Sequence, residues 1–443
     1  MNKKILRLAI PNIISNVSVP LLSMVDLMLM GHLESEAYIG AVALGGMIFN
    51  FIFWGLGFLR MGTTGFTAQA LGNRRLDEAL LVLVRAAGVA LLAALIVIVL
   101  QVPIGWLSFQ LIQGSAEVEQ IALSYFYIRI YAAPAALGLY ALNGWFLGMQ
   151  NAKAPMLISI LVNIANIGLN YWLVVKLGFK AEGVALGTVI AQYLGLLTGV
   201  IIFITRYRKL FKYFSLEKAL QKSDLWLFFR VNNDIFIRTL ALITTFSFFY
   251  AESAKFGNQM LAANSLLMQF LSLMAYGVDG FAFAAESLVG KAVGARDASL
   301  LRQTIRYIFR WGIGLAGLFS LIYAVAGKAI LQLLTNQQLV IETAMGYIGW
   351  VILAPLVNAF CFIWDGVYIG ATASKAMRET TLVATFEVFL PTYYITLAWG
   401  QNHSLWLAFT LFMMMRGIGL AQEARYYISV PDTKSQNASY REG

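Results

Sequence analysis

Apolar residues recur along this chain in runs of roughly 20 or more, the length an α-helix needs to cross a hydrocarbon core of about 30 Å. The runs predict twelve helices, near 5–31, 39–62, 80–103, 118–148, 156–176, 183–205, 229–252, 260–290, 305–332, 338–370, 377–397 and 402–425. Most intervals between them are short. The exception is RYRKLFKYFSLEKALQKSD, between the sixth and seventh runs, which predicts a cytoplasmic linker with an amphipathic helix. The expected fold is an all-α integral membrane protein with twelve transmembrane helices in two pseudo-symmetric six-helix lobes. Its expected divisions are an N-lobe at 1–205, a linker at 206–228, a C-lobe at 229–425 and a cytoplasmic tail at 426–443.

The two halves repeat at a fixed offset. NGWFLGMQNAKA from Asn143 aligns with DGVYIGATASKA from Asp365, so that Gly144/Gly366, Gly148/Gly370, Lys153/Lys375 and Ala154/Ala376 each differ by 222. Gly72 in ALGNRRLDEA and Gly294 in AVGARDASLL keep the same offset. Six spans per repeat make the copies parallel, related by an axis along the membrane normal. Such symmetry implies a cleft between the halves and alternating access around it.

Composition agrees with lipid as the solvent, since 60% of the residues are hydrophobic and only 12% are charged, too few for a soluble surface. The formal charge of +10 raises a nucleic-acid reading, but no basic cluster interleaved with aromatics supports one. The charge is instead distributed by side. Intervals on one face of the membrane carry twenty Lys and Arg residues, and the opposite intervals carry four, Lys176, Lys180, Lys255 and Lys328. That asymmetry orients the chain with both termini cytoplasmic in a bacterial-type inner membrane. Lys3 and Lys4 before an apolar run imitate a signal peptide, yet no small-residue cleavage pattern follows, so the run is read as a retained first helix. A single cysteine, Cys361, and two distant histidines, His32 and His403, point away from disulfide, redox and metal chemistry.

Ionisable groups inside a bilayer cost about 2.5–3.5 kcal/mol each on insertion scales, so the few present are functional candidates. Asp26, in VPLLSMVDLMLMG, has no Lys or Arg nearby in sequence and could take up a proton or be held ionised by a cation. The bland alternative is a carboxylate facing water near the outer interface. Asn163, Asn166 and Asn170 are spaced by three and four, on one helical face, and Thr188 follows in the next span; these groups could hydrogen-bond a carboxylate or serve a cation, or merely tie helices together. Secondary candidates lie in the second half. Asp279 and Glu286 share a helical face, and Asp365 occupies the position of Asn143. Asp234 and Arg238 are spaced for a structural i,i+4 pair, and Arg129 and Arg416 are given no role beyond snorkelling or carboxylate pairing. Pro11 and Pro20 permit a bend in the first helix. No phosphate loop, His-anchored triad or nucleotide-binding domain is present in the sequence, so the expectation is not an enzyme, without cofactor, and driven by an ion gradient.

The stretches MVDLMLMGHL, AQALGNRR, NIANIGLNYW, AYGVDGFAFAAESLVGKAVGARD and WDGVYIGATASKAMR, in this order, resemble the multidrug and toxic compound extrusion (MATE) transporters, specifically the DinF-like branch, over essentially the whole chain. The resemblance implies a V-shaped pair of six-helix lobes that exports organic cations and other amphipathic small molecules against proton or sodium uptake. It implies an N-lobe cation site at Asp26, Asn166, Asn170 and Thr188, and a first-helix bend at Pro11. Some relatives carry a second aspartate where this chain has Asn170, which favours a proton, with sodium as the alternative. An acidic residue of the family's C-lobe site is matched by Asp365, but no accompanying glutamate stands out in the seventh span. The expected protein is thus a monomeric proton-coupled efflux antiporter in contact with lipid and its substrates, and not with nucleic acid. Two rivals are a flippase for lipid-linked precursors, which would want basic residues in its cleft, and a membrane-embedded lipid enzyme.

Overall fold

The computed structural model describes residues 1–30, 37–111 and 115–428, and the side chains of all of these except 19, 21–30 and 399. The first helix, α1, covers Asn2–Met30 and runs through both Pro11 and Pro20 without a break in helical pattern. Among the described residues eleven further helices are long and apolar enough to cross a membrane. In the first half these are α2 (Ala37–Gly72), α3 (Leu76–Val99), α4 (Ala116–Gly148), α5 (Lys153–Lys176) and α6 (Ala181–Tyr213). In the second they are α7 (Lys222–Lys255), α8 (Asn258–Gly294), α9 (Ala298–Leu334), α10 (Gln338–Ala371), α11 (Ser374–Ala398) and α12 (Asn402–Tyr427). Every span expected from hydropathy is present as an all-α membrane fold. Side chains such as Leu91, Val99, Leu321, Val325 and Leu333 are exposed along α3 and α9, as lipid-facing surface requires.

Helix α6 runs on to Tyr213 and α7 starts at Lys222, so the expected amphipathic linker helix shrinks to the single turn Leu216–Ala219. Arg85 of α3 holds that turn. Its Nε and Nη2 donate to the carbonyls of Ala219 and Lys218 at 3.0 and 3.1 Å, while Glu78 and Asp224 accept from the same guanidinium at 2.6 and 2.8 Å. A cation on the last carbonyls of a helical turn satisfies acceptors that the turn itself leaves open.

The chain packs as two compact units. One comprises Ile14–Thr67 and Arg75–Phe228, here the N unit; the other comprises Met1–Ile13, Ala68–Arg74 and Phe229–Gly443, here the C unit. The partition differs from a cut at 205 because the start of α1 and the end of α2 pack with the second half, and the linker packs with the first.

Inside each unit the internal repeat is visible as geometry. Gly144 lies against the carbonyl of Arg60 and Gly366 against that of Ala282; Gly148 lies against Thr64 and Gly370 against the carbonyl of Glu286. Both members of each contact shift by 222, and a Cβ at any of these glycines would overlap its neighbour. Close crossings of this kind suit membrane helices, which gain from backbone approach where lipid offers no hydrophobic drive. The turns repeat too. Arg74 and Arg296, at φ 59° and 52°, and Gln150 and Thr372, at φ 61° and 54°, place side-chain-bearing residues in the left-handed region at equivalent helix ends.

Candidate functional site

Helices α5 and α6 bring three of the expected site residues into one hydrogen-bonded chain. Asn170 Nδ2 donates to Asn166 Oδ1 at 2.8 Å, Asn166 Nδ2 donates to Thr188 Oγ1 at 2.9 Å, and the Thr188 hydroxyl donates to the Val184 carbonyl at 2.8 Å. All three side chains are buried. Gly187 allows this closeness, since a Cβ there would overlap Asn170 Oδ1. The chain carries no formal charge and runs with one polarity, from an acceptor end at Asn170 Oδ1 to a backbone carbonyl. Such a set can turn an acceptor toward a cation or a donor toward a carboxylate with little rearrangement.

Asn163 turns to α1. Its Nδ2 donates to Ser18 Oγ at 2.8 Å and to the Ser18 carbonyl at 3.3 Å, and Ser18 also lies 3.4 Å from Ser159. This contact ties α5 to α1 about two turns before Asp26. Asp26 itself belongs to α1, and its side chain lies outside the described residues.

The second half answers differently. Asp365 on α10 accepts from two guanidiniums at one oxygen: Arg416 Nη2 on α12 donates to Oδ2 at 2.7 Å, and Arg238 Nη2 on α7 donates to the same atom. All three residues are buried, at 6, 2 and 6% exposure for Asp365, Arg416 and Arg238. A carboxylate engaged in this way is not an open cation site. The expected Asp234–Arg238 pair is also replaced. Asp234 accepts from Arg378 Nη1 at 2.5 Å and from the Ser374 hydroxyl at 2.9 Å, because α11 presents partners that an i,i+4 count along α7 does not include. Arg129 lies with its guanidinium 5.3 Å from the Phe49 ring centre. On α8, Glu286 is buried and Asp279 half-buried.

One acid escaped the sequence reading. Glu252, at the end of α7 remote from Arg238, is buried and accepts from the Tyr393 hydroxyl at 2.8 Å and from Lys255 at 2.6 Å. Its place at the edge of the polar loop sequence hid it. Beside it Asn264, Asn402, Ser253 and Trp406 form a neutral buried cluster, with Asn264 and Asn402 exchanging amide bonds at 2.7 and 3.1 Å. Among the described residues no three His, Cys, Asp or Glu side chains converge to hold a metal.

A duplicated bundle of membrane-spanning helices with sparse, buried polar clusters in each half is the architecture of a polytopic membrane protein. The family model MatE matches the chain twice, over residues 11–172 and 237–395, once in each repeat. DNA damage-inducible protein F of Escherichia coli (strain K12) is 39% identical over 424 residues, which cover 95% of this chain and 91% of that protein. A probable multidrug resistance protein NorM of Bacillus anthracis is 25% identical over 402 residues, covering 89% of this chain and 88% of that one. The crystal structure of MATE in the bent conformation superposes with a TM-score of 0.88 at 19% identity, covering 98% and 97% of the two chains. The chain belongs to the MatE family.

Proposed function

We infer that this protein is an ion-gradient-driven exporter of amphipathic or cationic small molecules, residing as a monomer in a bacterial-type inner membrane with both termini cytoplasmic. The observation that carries the reading is the buried chain Asn170–Asn166–Thr188, joined by hydrogen bonds across α5 and α6 and carrying no charge of its own. A neutral polar set of this kind, in the same unit as the Asp26 end of α1, suits a carboxylate that alternates between two states of charge. The relatives named as probable multidrug resistance proteins support small-molecule cargo. Protons are the coupling ion in this reading, because the chain offers an amide at position 170 and one acid on α1, and a lone carboxylate is neutralised most simply by a proton.

The test is transport by purified protein in sealed vesicles, under an imposed proton gradient and, separately, a sodium gradient. Cationic dye movement should follow the proton gradient, and Asp26→Asn should abolish it at unchanged expression. Movement driven by sodium alone would reassign the ion; wild-type transport by the Asn variant would remove Asp26 from the mechanism; and absence of movement under both gradients would reject the exporter reading.

A further inference from the structure

The Arg238–Asp365–Arg416 cluster is built with more positive charge than it balances. Two guanidiniums face one carboxylate, and both reach the same oxygen, Oδ2. Asp365 Oδ1, Arg238 Nε and Arg416 Nε are buried without a hydrogen-bond partner among the described residues. A saturated structural ion pair places the arginine fork on both carboxylate oxygens, and this cluster leaves the fork edges open. The other acids engaged along α7 do not make up the difference. Asp234, one turn before Arg238, is engaged by Arg378 and Ser374, and Glu252 is engaged by Lys255 and Tyr393 at the other end of α7.

The first repeat carries no such charges. The residues 222 earlier are Asn16, Asn143 and Leu194, all neutral, and the close helix crossing beside them is kept in both units, Gly144 on Arg60 and Gly366 on Ala282. An unbalanced cation inside a membrane protein is costly, and a mobile anion offsets that cost where a fixed residue does not. Arg416 also lies 5.4 Å over the Phe412 ring and donates to Met413 Sδ at 3.3 Å, so its flanks are apolar.

We propose that this cluster binds a singly charged anion on the Nε–H edges of Arg238 and Arg416, supplied as the carboxylate of an amphipathic molecule or as a free halide. The proposal deepens the exporter reading by giving the second half a preference for anionic head groups. It rests on that reading only for the view that the anion belongs to a cargo. Its test uses no gradient and no transport, so the two can fail separately.

The experiment is thermal unfolding of the full-length protein in neutral detergent and sulfate buffer, titrated with octanoate, with octyltrimethylammonium of equal chain length, and with chloride. Octanoate should raise the midpoint of the wild type in a saturable way, and octyltrimethylammonium should not. Arg238→Gln leaves the balanced Asp365–Arg416 pair to support folding and should weaken octanoate at least tenfold. Asp365→Asn increases the surplus of positive charge and should show the largest octanoate-dependent rise. A rise with chloride equal to that with octanoate assigns the site to a free halide; a rise with octanoate alone assigns it to the amphipath. An equal midpoint shift in the wild type and Arg238→Gln, or none in the wild type with either anion, overturns the proposal. Should Asp365→Asn fail to fold, Arg416→Gln compared with Arg238→Gln decides it, since both must lose the response.

Discussion

The α5–α6 cluster of the N unit is built of amides and a hydroxyl, and the α7–α10–α12 cluster of the C unit is built of ions. In the first, Asn166 Nδ2, Asn170 Nδ2 and the Thr188 hydroxyl each donate to an acceptor within 2.9 Å. In the second, a carboxylate is shared by two guanidiniums and several polar atoms stay unmatched. The two units nevertheless share the same glycine crossings and the same left-handed helix ends at an offset of 222. Backbone contacts therefore persist through the duplication while side-chain chemistry diverges. A carbonyl under a glycine admits no larger residue, whereas a polar side chain can be exchanged wherever its partners change with it.

The largest break in this comparison is Asp365→Ala. It leaves two guanidiniums buried with no anion, and removing one member of a buried ionic set costs about 3–5 kcal/mol. A loss of that size should appear as a large fall in the thermal midpoint in sulfate buffer. The sharper version writes the first half's residues into the second, as Arg238→Asn, Asp365→Asn and Arg416→Leu together. Because replacing a whole buried ionic set with neutral side chains is often neutral or stabilising, the triple variant should melt well above Asp365→Ala. A triple variant no more stable than the single would mean that the charges themselves hold α7, α10 and α12 together.

A smaller effect is expected in the amide chain. Asn166→Ala removes the acceptor of Asn170 and the donor to Thr188, and a buried group left unsatisfied costs about 1–3 kcal/mol. Thr188 still donates to Val184, which limits the damage. Gradient-driven transport in vesicles should fall at least tenfold while the protein remains folded by gel filtration. Transport that falls only in proportion to folded protein would reduce the chain to helix packing.

The sequence made the spans and the repeat legible because both follow from simple periodicities, apolar length for a helix and a constant offset for a duplication. It also marked Asn166, Asn170 and Thr188, since helical spacing and adjacency of spans already bring them near one another. It misread Asp234 and Arg238 because local spacing competes with partners that only tertiary packing supplies, here Arg378 and Ser374 for one and Asp365 for the other. Carboxylate pairing was among the readings for Arg416, but that Asp365 is the partner of both arginines was unreadable for the same reason. They lie 127 and 51 positions away, and no pattern along a single helix connects them. The amphipathic linker helix failed because α6 and α7 continue past the apolar runs, and Arg85 holds what remains.

The smallest predicted effect bears on how α1 is held. Asn163→Ala removes the bonds to Ser18 at a half-buried position, so about 0.5–1.5 kcal/mol of stability should be lost. Ser18→Ala removes the shorter of the two bonds from the other side, and the double variant should lose less than the two singles added, because neighbours in one contact are not independent. If that contact also sets the orientation of α1 before Asp26, both single variants will reduce transport by more than their stability loss accounts for. If transport and stability fall together, Asn163 is a packing residue, and the proposed coupling site narrows to Asn166, Asn170, Thr188 and the acid of α1.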